Sequence, residues 1–222
     1  MNWAVAVITA PREPSWLGDT VQSLTQAGWG KITLHAEPHT NIPAHLAHLH
    51  TVVTSRRVGP HLNFRGALAR LVEEDLSADA YAVFEDDIEV TRSLRDWLDT
   101  AGLWPSARVG VISLYTAAVN HREQPGWHRC DELPRRAHGA LAYVFPPDAA
   151  SDFLSKPPPS NTWGQQDYWV GRWCRDAGLE YWMHSPSFVR HLGEVSTIQT
   201  RELNEYRQCG AFLEDIENSE VT

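Results

Sequence analysis

The chain has 222 residues, of which 42% are hydrophobic and 21% are charged, and its formal net charge at pH 7 is −9. This composition is typical of a globular protein, and the acidic balance argues against a broad basic face for nucleic acid. No apolar stretch approaches the ~20 residues that a membrane-spanning helix needs. The three cysteines lack CxxC spacing, which is typical of reduced thiols in a cytoplasm. We therefore expect a cytoplasmic protein with no membrane contact.

The first half of the chain alternates strand and helix patterns. Trp3–Thr9 is a near-continuous apolar run without a basic leader, which predicts a buried first strand rather than a signal peptide. Helical spacing from Leu17 to Ala27, with Gly28 as a stop, predicts a helix, and Asn63 is a candidate N-cap for a second helix. Further strands are predicted at residues 31–35, 50–54 and 81–84. This order predicts a mostly parallel, Rossmann-like central sheet flanked by helices, an α/β class that often binds nucleotides.

The second half is less regular. Strands are predicted at residues 109–115, 139–145 and 180–184, and helices at residues 94–98, 146–155, 165–177 and from Arg201 onward. Between two of these strands, residues 117–134 form a long segment with no clear period. A structureless stretch of that length is typical of a lid or a binding loop.

Residues 81–87 carry the most informative pattern. An apolar run, Tyr81–Phe84, leads directly into Glu85, Asp86 and Asp87, and open α/β sheets bind ligands at the carboxyl ends of their strands. Three adjacent like charges are kept together most easily where a cation offsets them. Mg²⁺ and Mn²⁺ suit such oxygen ligands, usually with substrate phosphates completing the shell. The alternative interpretation is a polar turn after a strand.

Three other segments could complete such a site. The run Thr9-Ala10-Pro11-Arg12 follows the first strand, where Arg12 could reach a pyrophosphate or a base. Further on, His191 offers an imidazole to a divalent ion, and Arg190 could meet phosphate oxygens. Asp167 begins a helix among tryptophans, where burial would raise its pKa towards that of a general base. Each taken alone also fits an ordinary structural role, and the absence of a G-x-G-x-x-G or P-loop motif argues against a dinucleotide enzyme or a P-loop NTPase.

These segments together resemble the metal-dependent glycosyltransferases of the GT-A fold, over most of residues 3–198. In that family a strand ends in a DxD-like acidic motif, which reads Glu-Asp-Asp in the branch that includes N-acetylglucosaminyltransferases, and Phe84–Asp87 matches that form. Residues 186–193 look like the family's Pro-Ser-Leu-x-x-His-x-Gly segment. Residues 163–169 are similar to the segment that carries the catalytic base of inverting members. Two acids often stand there, whereas here Gln166 precedes Asp167, so the base role rests on Asp167 alone.

The resemblance implies one GT-A domain over residues 1–222. A nucleotide-sugar-binding half (residues 1–90) would be followed by an acceptor and catalytic half with a smaller sheet (residues 91–200) and by a C-terminal helix (residues 201–222). It also implies that Asp87, with His191, binds Mn²⁺ or Mg²⁺.

By the same resemblance, Glu85 and Asp86 would contact the nucleoside of a donor, most simply a UDP-sugar, and residues 9–12 would form the first donor loop. Asp167 would deprotonate an acceptor hydroxyl during inverting transfer of a hexose or an N-acetylhexosamine. Sugar or base faces could stack on a set of tryptophans: Trp127, Trp163 and Trp169.

The acceptor stays open at this point. One option is a glycan, and another is a hydroxymethylated base in phage DNA, because compact phage enzymes of this type modify such bases. Local cations for DNA could come from two arginine pairs, at residues 56–57 and 135–136. A free-standing enzyme of this size indicates a bacterial cytoplasm or a virus-infected host cell.

Two other hypotheses compete with this one. Three closely spaced histidines, His45, His48 and His50, with His35 and His39 upstream, could form a zinc-binding module or hydrolase. A catalytically inactive, sugar-binding relative of the same fold is the other.

Overall fold

The computed structural model describes residues 1–158, 166–192 and 208–216. Its strands are β1 (Trp3–Thr9), β2 (Thr33–Ala36), β3 (His50–Val53), β4 (Ala80–Glu85), β5 (Ile88–Val90), β6 (Val109–Ser113), β7 (Gly126–Arg129), β8 (Ala142–Phe145), β9 (Glu180–Ser185) and β10 (Val189–His191). Its α-helices are α1 (Leu17–Gln26), α2 (Pro60–Glu74), α3 (Leu94–Ala101), α4 (Pro147–Ser155) and α5 (Gln166–Ala177). None of these helices is both long and apolar enough to cross a membrane.

Eight strands form one central sheet in the order β3-β2-β1-β4-β8-β6-β9-β7, and β5 and β10 form a separate two-stranded sheet. Four of the seven pairings in the central sheet are parallel, which confirms the predicted mostly parallel sheet. The antiparallel pairings involve β8 and β7. Because β8 runs against β4, its first residue, Ala142, pairs with Phe84. The start of β8 therefore lies beside the acidic triplet.

Strand alternation divides the core into two layers, one on each face of the sheet. On β1, Trp3, Val5 and Val7 pack in one layer and the intervening residues pack in the other. Helices α1 and α3 cover the first layer, and α2, α4 and α5 cover the second. A strand buried on both faces reads as a continuous apolar run, which is why β1 could be predicted with its exact bounds.

Helix α2 begins earlier than the sequence predicted. Gly59 is its N-cap, with φ +82°, and Pro60 occupies the first helical position, where its fixed φ and missing N–H cost nothing. Asn63 is therefore not the N-cap. It lies inside the helix, 3% exposed, and its side-chain oxygen is 2.7 Å from Nδ1 of His35.

Two further predictions need correction. The segment 117–134 is not structureless, because it contains β7, which pairs antiparallel with β9 at the edge of the sheet. Residues 208–216, within the predicted C-terminal helix, are not helical. They form isolated β-bridges with earlier parts of the chain: Cys209 with Ala117, Phe212 with Ser187 and Asp215 with Arg92. The remainder of that predicted helix, residues 201–207 and 217–222, lies outside the described residues.

A buried histidine in β9 makes the stability of this fold depend on pH. His184 is 1% exposed, its ring stacks on Phe188 at 4.1 Å, and Nδ1 lies 2.8 Å from the carbonyl oxygen of Pro186. Burial lowers the pKa of His184 to about 4, from an unfolded value of about 6.5. Below pH 6.5 the unfolded chain therefore takes up a proton that the folded chain does not take up until about pH 4.

We expect this histidine to weaken the protein as the pH falls. Between pH 7 and pH 5, the free energy of unfolding of the wild type should fall by about 2 kcal/mol more than that of His184→Phe. Urea unfolding at both pH values measures this difference. The exposed His48 is the matched control, since His48→Gln should behave as the wild type. Equal pH dependence in wild type and His184→Phe would contradict the assignment.

Candidate functional site

The acidic triplet lies at the carboxyl edge of the central sheet, where β4 ends and the turn to β5 begins. Glu85 is the last residue of β4 and pairs with Ile8 near the end of β1. The loop after β1 therefore starts beside the triplet, and it brings Thr9 and Arg12 to it. The sequence predicted this neighbourhood, because parallel strands end at the same edge.

Arg12 bridges two of the three acids. Its Nη2 lies 2.9 Å from Oδ1 of Asp86, and its Nη1 donates to Oδ2 of Asp87. The hydroxyl of Thr9 donates to the other oxygen of Asp86. Both aspartates are nearly inaccessible, at 1% and 4% exposure. A buried carboxylate needs this kind of charged and hydrogen-bonded partner to remain ionised.

The second half of the chain contributes His191 to the same cluster. Its Nε2 lies 2.9 Å from Oδ2 of Asp87, and the backbone N–H of Leu192 donates to the Asp87 carbonyl at 2.7 Å. The pairing of β10 with β5 places His191 opposite Ile88, one residue after Asp87. The other carboxylate oxygen of Asp87, Oδ1, is buried and has no hydrogen-bond partner among the described residues.

The three acids differ in pKa because their surroundings differ. Burial, reinforced by the charge of Asp87, raises the pKa of Glu85 to about 8. Burial also raises the pKa of Asp86 to about 6, with Arg12 acting against it. Burial would raise the pKa of Asp87 too, but the hydrogen bond and charge of His191, together with Arg12, hold it below its usual range. Near neutral pH, Asp87 is therefore the most firmly ionised of the three.

A small cleft of about 180 Å³ opens beside the triplet. It contains the predicted donor-loop residues Thr9, Ala10 and Arg12, together with Glu85 and Asp86, whereas the exposed Pro11 does not line it. Three polar side chains that the sequence did not assign to this cleft also line it: Glu37, Arg57 and Asn63.

Glu37 is the most informative of these three residues. It is 2% exposed and accepts hydrogen bonds from the backbone N–H groups of Val58 and Gly59 at 3.0 and 2.6 Å. Its other oxygen lies 3.4 Å from Nε of Arg57. Because Glu37 directly follows β2, the rule that ligands bind at carboxyl ends of strands could have singled it out.

Asp167 lies in the first turn of α5, as predicted, and near the same edge of the sheet. Its carboxylate accepts the backbone N–H of Tyr168 at 2.9 Å and that of Gly139. Two residues after Gly139, the carbonyl of Leu141 accepts the N–H of Glu85 at 2.8 Å. Burial raises the pKa of Asp167, which suits a group that must accept a proton near neutral pH.

Other predicted site residues are placed elsewhere. Arg190 points away from the acids, because neighbouring strand residues face opposite sides. It pairs with Glu89, at 2.6 Å, and lies over the ring of Phe212, at 4.8 Å. Trp127 packs against Trp97 and against the stacked rings of His184 and Phe188, away from the three acids. Trp163 lies outside the described residues.

The histidine-rich segment does not form a zinc site. His48 contacts the carbonyl of His45, and His50 faces Glu74 at 3.8 Å. The buried His35 is held by Asn63. Nowhere in residues 1–158, 166–192 and 208–216 do three His, Cys, Asp or Glu side chains converge so as to hold a metal ion. The structure therefore does not support the zinc hypothesis for these histidines.

Comparisons with known proteins identify the fold. No family model matches the chain, and no curated protein matches it in sequence. GalNAc-T7, solved with UDP, GalNAc and Mn²⁺, matches with a TM-score of 0.65 at 13% identity, over 91% of this chain and 45% of that one. The mannosyltransferase PcManGT from Pyrobaculum calidifontis, solved with GDP-Man and Mn²⁺, matches with a TM-score of 0.52 at 13% identity, over 80% of this chain and 53% of that one.

Both structural neighbours are glycosyltransferases, and the chain spans about half the length of each. The predicted GT-A fold is confirmed. At this identity the likeness shows the fold alone, so the chemistry has to be argued from the site.

The bridging role of Arg12 yields a stability prediction. At pH 7.5, Arg12→Gln should lower the free energy of unfolding by about 3 kcal/mol, because it leaves buried carboxylates without their cation. The loss should shrink at pH 5.5, since Asp86, with a pKa of about 6, then becomes largely protonated, as Glu85 with its pKa of about 8 already is at pH 7.5. Arg57→Gln is the matched control. The side chain of Arg57 is 65% exposed, so this substitution should lower the free energy of unfolding by less than about 1 kcal/mol. A loss for Arg12→Gln that stays constant over this pH range would contradict the bridge.

Proposed function

We propose that this protein is a metal-dependent glycosyltransferase that moves a sugar from a nucleotide sugar to an acceptor hydroxyl. The observation that carries the proposal is the environment of Asp87. Its carboxylate is buried at the carboxyl edge of a GT-A sheet, with one oxygen shared by Arg12 and His191 and the other without a partner among the described residues. A polar turn does not need such an arrangement, because its acids would face water.

The residues present fit a divalent cation. An unpartnered buried oxygen of Asp87 and a neighbouring imidazole are suitable ligands for Mn²⁺ or Mg²⁺. A closed cage is not required, since such ions are commonly held by one or two protein groups and by substrate phosphates. Both structural neighbours were solved with Mn²⁺. When bound, the ion would neutralise the charge that develops on the diphosphate leaving group.

The small cleft suits the nucleoside of the donor. Asp86, fixed by Thr9 and Arg12, and the half-buried Glu85 supply oxygens for ribose hydroxyls and for N–H groups of a base. In the proposed complex, Arg12 also contacts the diphosphate. To contact it, the guanidinium has to exchange a carboxylate of the triplet for a phosphate oxygen, which is a favourable bidentate partner. We favour a uridine diphosphate donor, in line with GalNAc-T7, whose structure contains UDP.

Asp167 is the general base of the proposed reaction. It takes the proton of the acceptor hydroxyl as that oxygen attacks the anomeric carbon from the side opposite the diphosphate, which inverts the configuration. The hydrogen bonds from Tyr168 and Gly139 orient its carboxylate, and its raised pKa increases its basicity. The transferred sugar is a hexose or an N-acetylhexosamine, and the acceptor is a glycan or a hydroxymethylated base in DNA.

Asp87→Asn tests the metal site. With Mn²⁺ and a panel of UDP-sugars and GDP-mannose, it should lower the release of nucleoside diphosphate by roughly 100-fold or more, because it removes the carboxylate charge that binds the ion. Chromatography of the nucleotide products measures this, and circular dichroism verifies the fold. Glu89→Gln is the control, because Glu89 is an acid of β5 that pairs with Arg190 outside the cluster. The activity of this variant should stay near that of the wild type. Activity of Asp87→Asn within a few-fold of wild type would exclude the proposed metal site.

Asp167→Asn separates donor binding from transfer. Calorimetry should give wild-type affinity for nucleoside diphosphate with Mn²⁺, while kcat falls by roughly 100-fold or more because the proton acceptor is lost. In the wild type, kcat should rise with pH through the raised pKa of Asp167. The base assignment is wrong if Asp167→Asn retains nearly native kcat, and a retaining mechanism would then be favoured.

A further inference from the structure

A second, larger groove runs along one flank of the molecule. It has a volume of about 990 Å³ and lies between α2, α4, α5 and the residues that lead into β6. That size is at the upper end of the range for small-molecule sites. None of the three acids lines it, so it is separate from the cluster at the carboxyl edge of the sheet.

Tryptophans form much of the groove wall. Trp104, Trp169 and Trp173 line it, and the last two make fixing contacts. The indole N–H of Trp173 donates to Asp152 at 2.8 Å, and the guanidinium of Arg172 lies 5.2 Å from the ring centre of Trp169. Fixed aromatic rings provide apolar surface for the C–H faces of a sugar, at a small cost in conformational entropy.

Buried polar groups in the same groove have no partner in the described parts of the chain. His61 is 1% exposed, and neither of its ring nitrogens makes a hydrogen bond. The indole N–H of Trp169 is also buried and unpartnered. Such groups are rare because each one costs free energy. A neutral imidazole offers one donor and one acceptor, which is the pairing that a hydroxyl group can satisfy.

The charges of the groove identify the class of ligand. Its described lining contains three cations, Arg65, Lys156 and Arg172, and the same number of aspartates. Lys156 pairs with Asp152 at 2.8 Å, and Arg172 lies 3.4 Å from Asp176. Arg65 donates to three backbone carbonyls at the end of α4. A phosphate or a DNA backbone would require cations that are not already neutralised, whereas a neutral polyhydroxyl ligand would not.

We propose that this flank groove binds a neutral oligosaccharide. Binding there does not depend on the transferase activity. We infer further that the saccharide is part of the acceptor, and this second step rests on the proposed function. The structure supports this because one helix, α5, carries both Asp167, in its first turn, and Trp169, which lines the groove. A glycan chain held along α5 would extend towards the end of the sheet where transfer is proposed.

The proposal is tested by direct binding to the intact protein. Maltohexaose, cellohexaose and chitohexaose are titrated and followed by tryptophan fluorescence and calorimetry, with a 12-base-pair hydroxymethylcytosine duplex as the nucleic-acid probe. We expect saturable binding of at least one hexaose. Trp169→Ala and Arg172→Ala should each weaken it by roughly tenfold, since they remove the stacking ring and the group that orients it. Arg172 is exposed, so its variant should fold even if Trp169→Ala does not.

Two controls separate the possible outcomes. Trp16→Ala, at the N-cap of α1 and outside the groove lining, should bind the hexaose as tightly as the wild type. Asp87→Asn should also retain binding, which distinguishes the groove from the proposed metal site and holds even if transferase activity is never found. The proposal is overturned if no hexaose binds, if both groove variants bind normally, or if Asp87→Asn abolishes binding. It is also overturned if the duplex, rather than a hexaose, is the ligand lost in the groove variants.

Discussion

The arrangement of the carboxyl edge depends on one guanidinium that reaches two buried carboxylates. Neighbouring buried carboxylates repel each other when both are ionised, so Asp86 and Asp87 need a cation between them to remain charged. Arg12 contacts both of them. This contact requires β1 and β4 to be adjacent and parallel, which lets the loop after β1 lie over the turn that carries the acids. The adjacency of β1 and β4 in the sheet therefore helps to keep Asp86 and Asp87 ionised.

His191 is positioned by structure that is distant in the chain. It belongs to β10, a three-residue strand that pairs with the equally short β5, and two such strands are marginal alone. Residues 208–216 support them. The N–H of Leu213 donates to the carbonyl of Ser187 at 3.0 Å, and the N–H of Arg92 donates to the carbonyl of Glu214 at 3.1 Å. Thr91 adds a side-chain hydrogen bond to the carbonyl of Leu213 at 2.5 Å. The described C-terminal segment is therefore part of what holds the imidazole against Asp87.

Elements that are buried on a long, regular face could be predicted from the sequence, and those that depend on tertiary pairing could not. β1 is an apolar run of seven residues, and α1 has ten residues of helical period. β5, β7 and β10 have three or four residues each, and they are defined by antiparallel pairing between segments distant in the chain. At the site, the resemblance to a family brought the acidic triplet together with His191. The bridge from Arg12 to Asp86 and Asp87, and the burial of Glu37, could not be derived from the sequence, because both arise from loops that meet only in the folded protein.

The charges at the site explain why a divalent ion and a diphosphate should bind together. Near pH 7, Glu85, with a pKa of about 8, is largely protonated, whereas Asp86 and Asp87 are ionised. Arg12 and His191 lie against these two carboxylates, so the cluster has no excess of positive charge with which to bind a diphosphate alone. In the proposed function, a divalent ion would supply that charge and would free the guanidinium to contact the phosphates. Each partner would then favour the binding of the other, and by thermodynamic linkage the effect would be reciprocal.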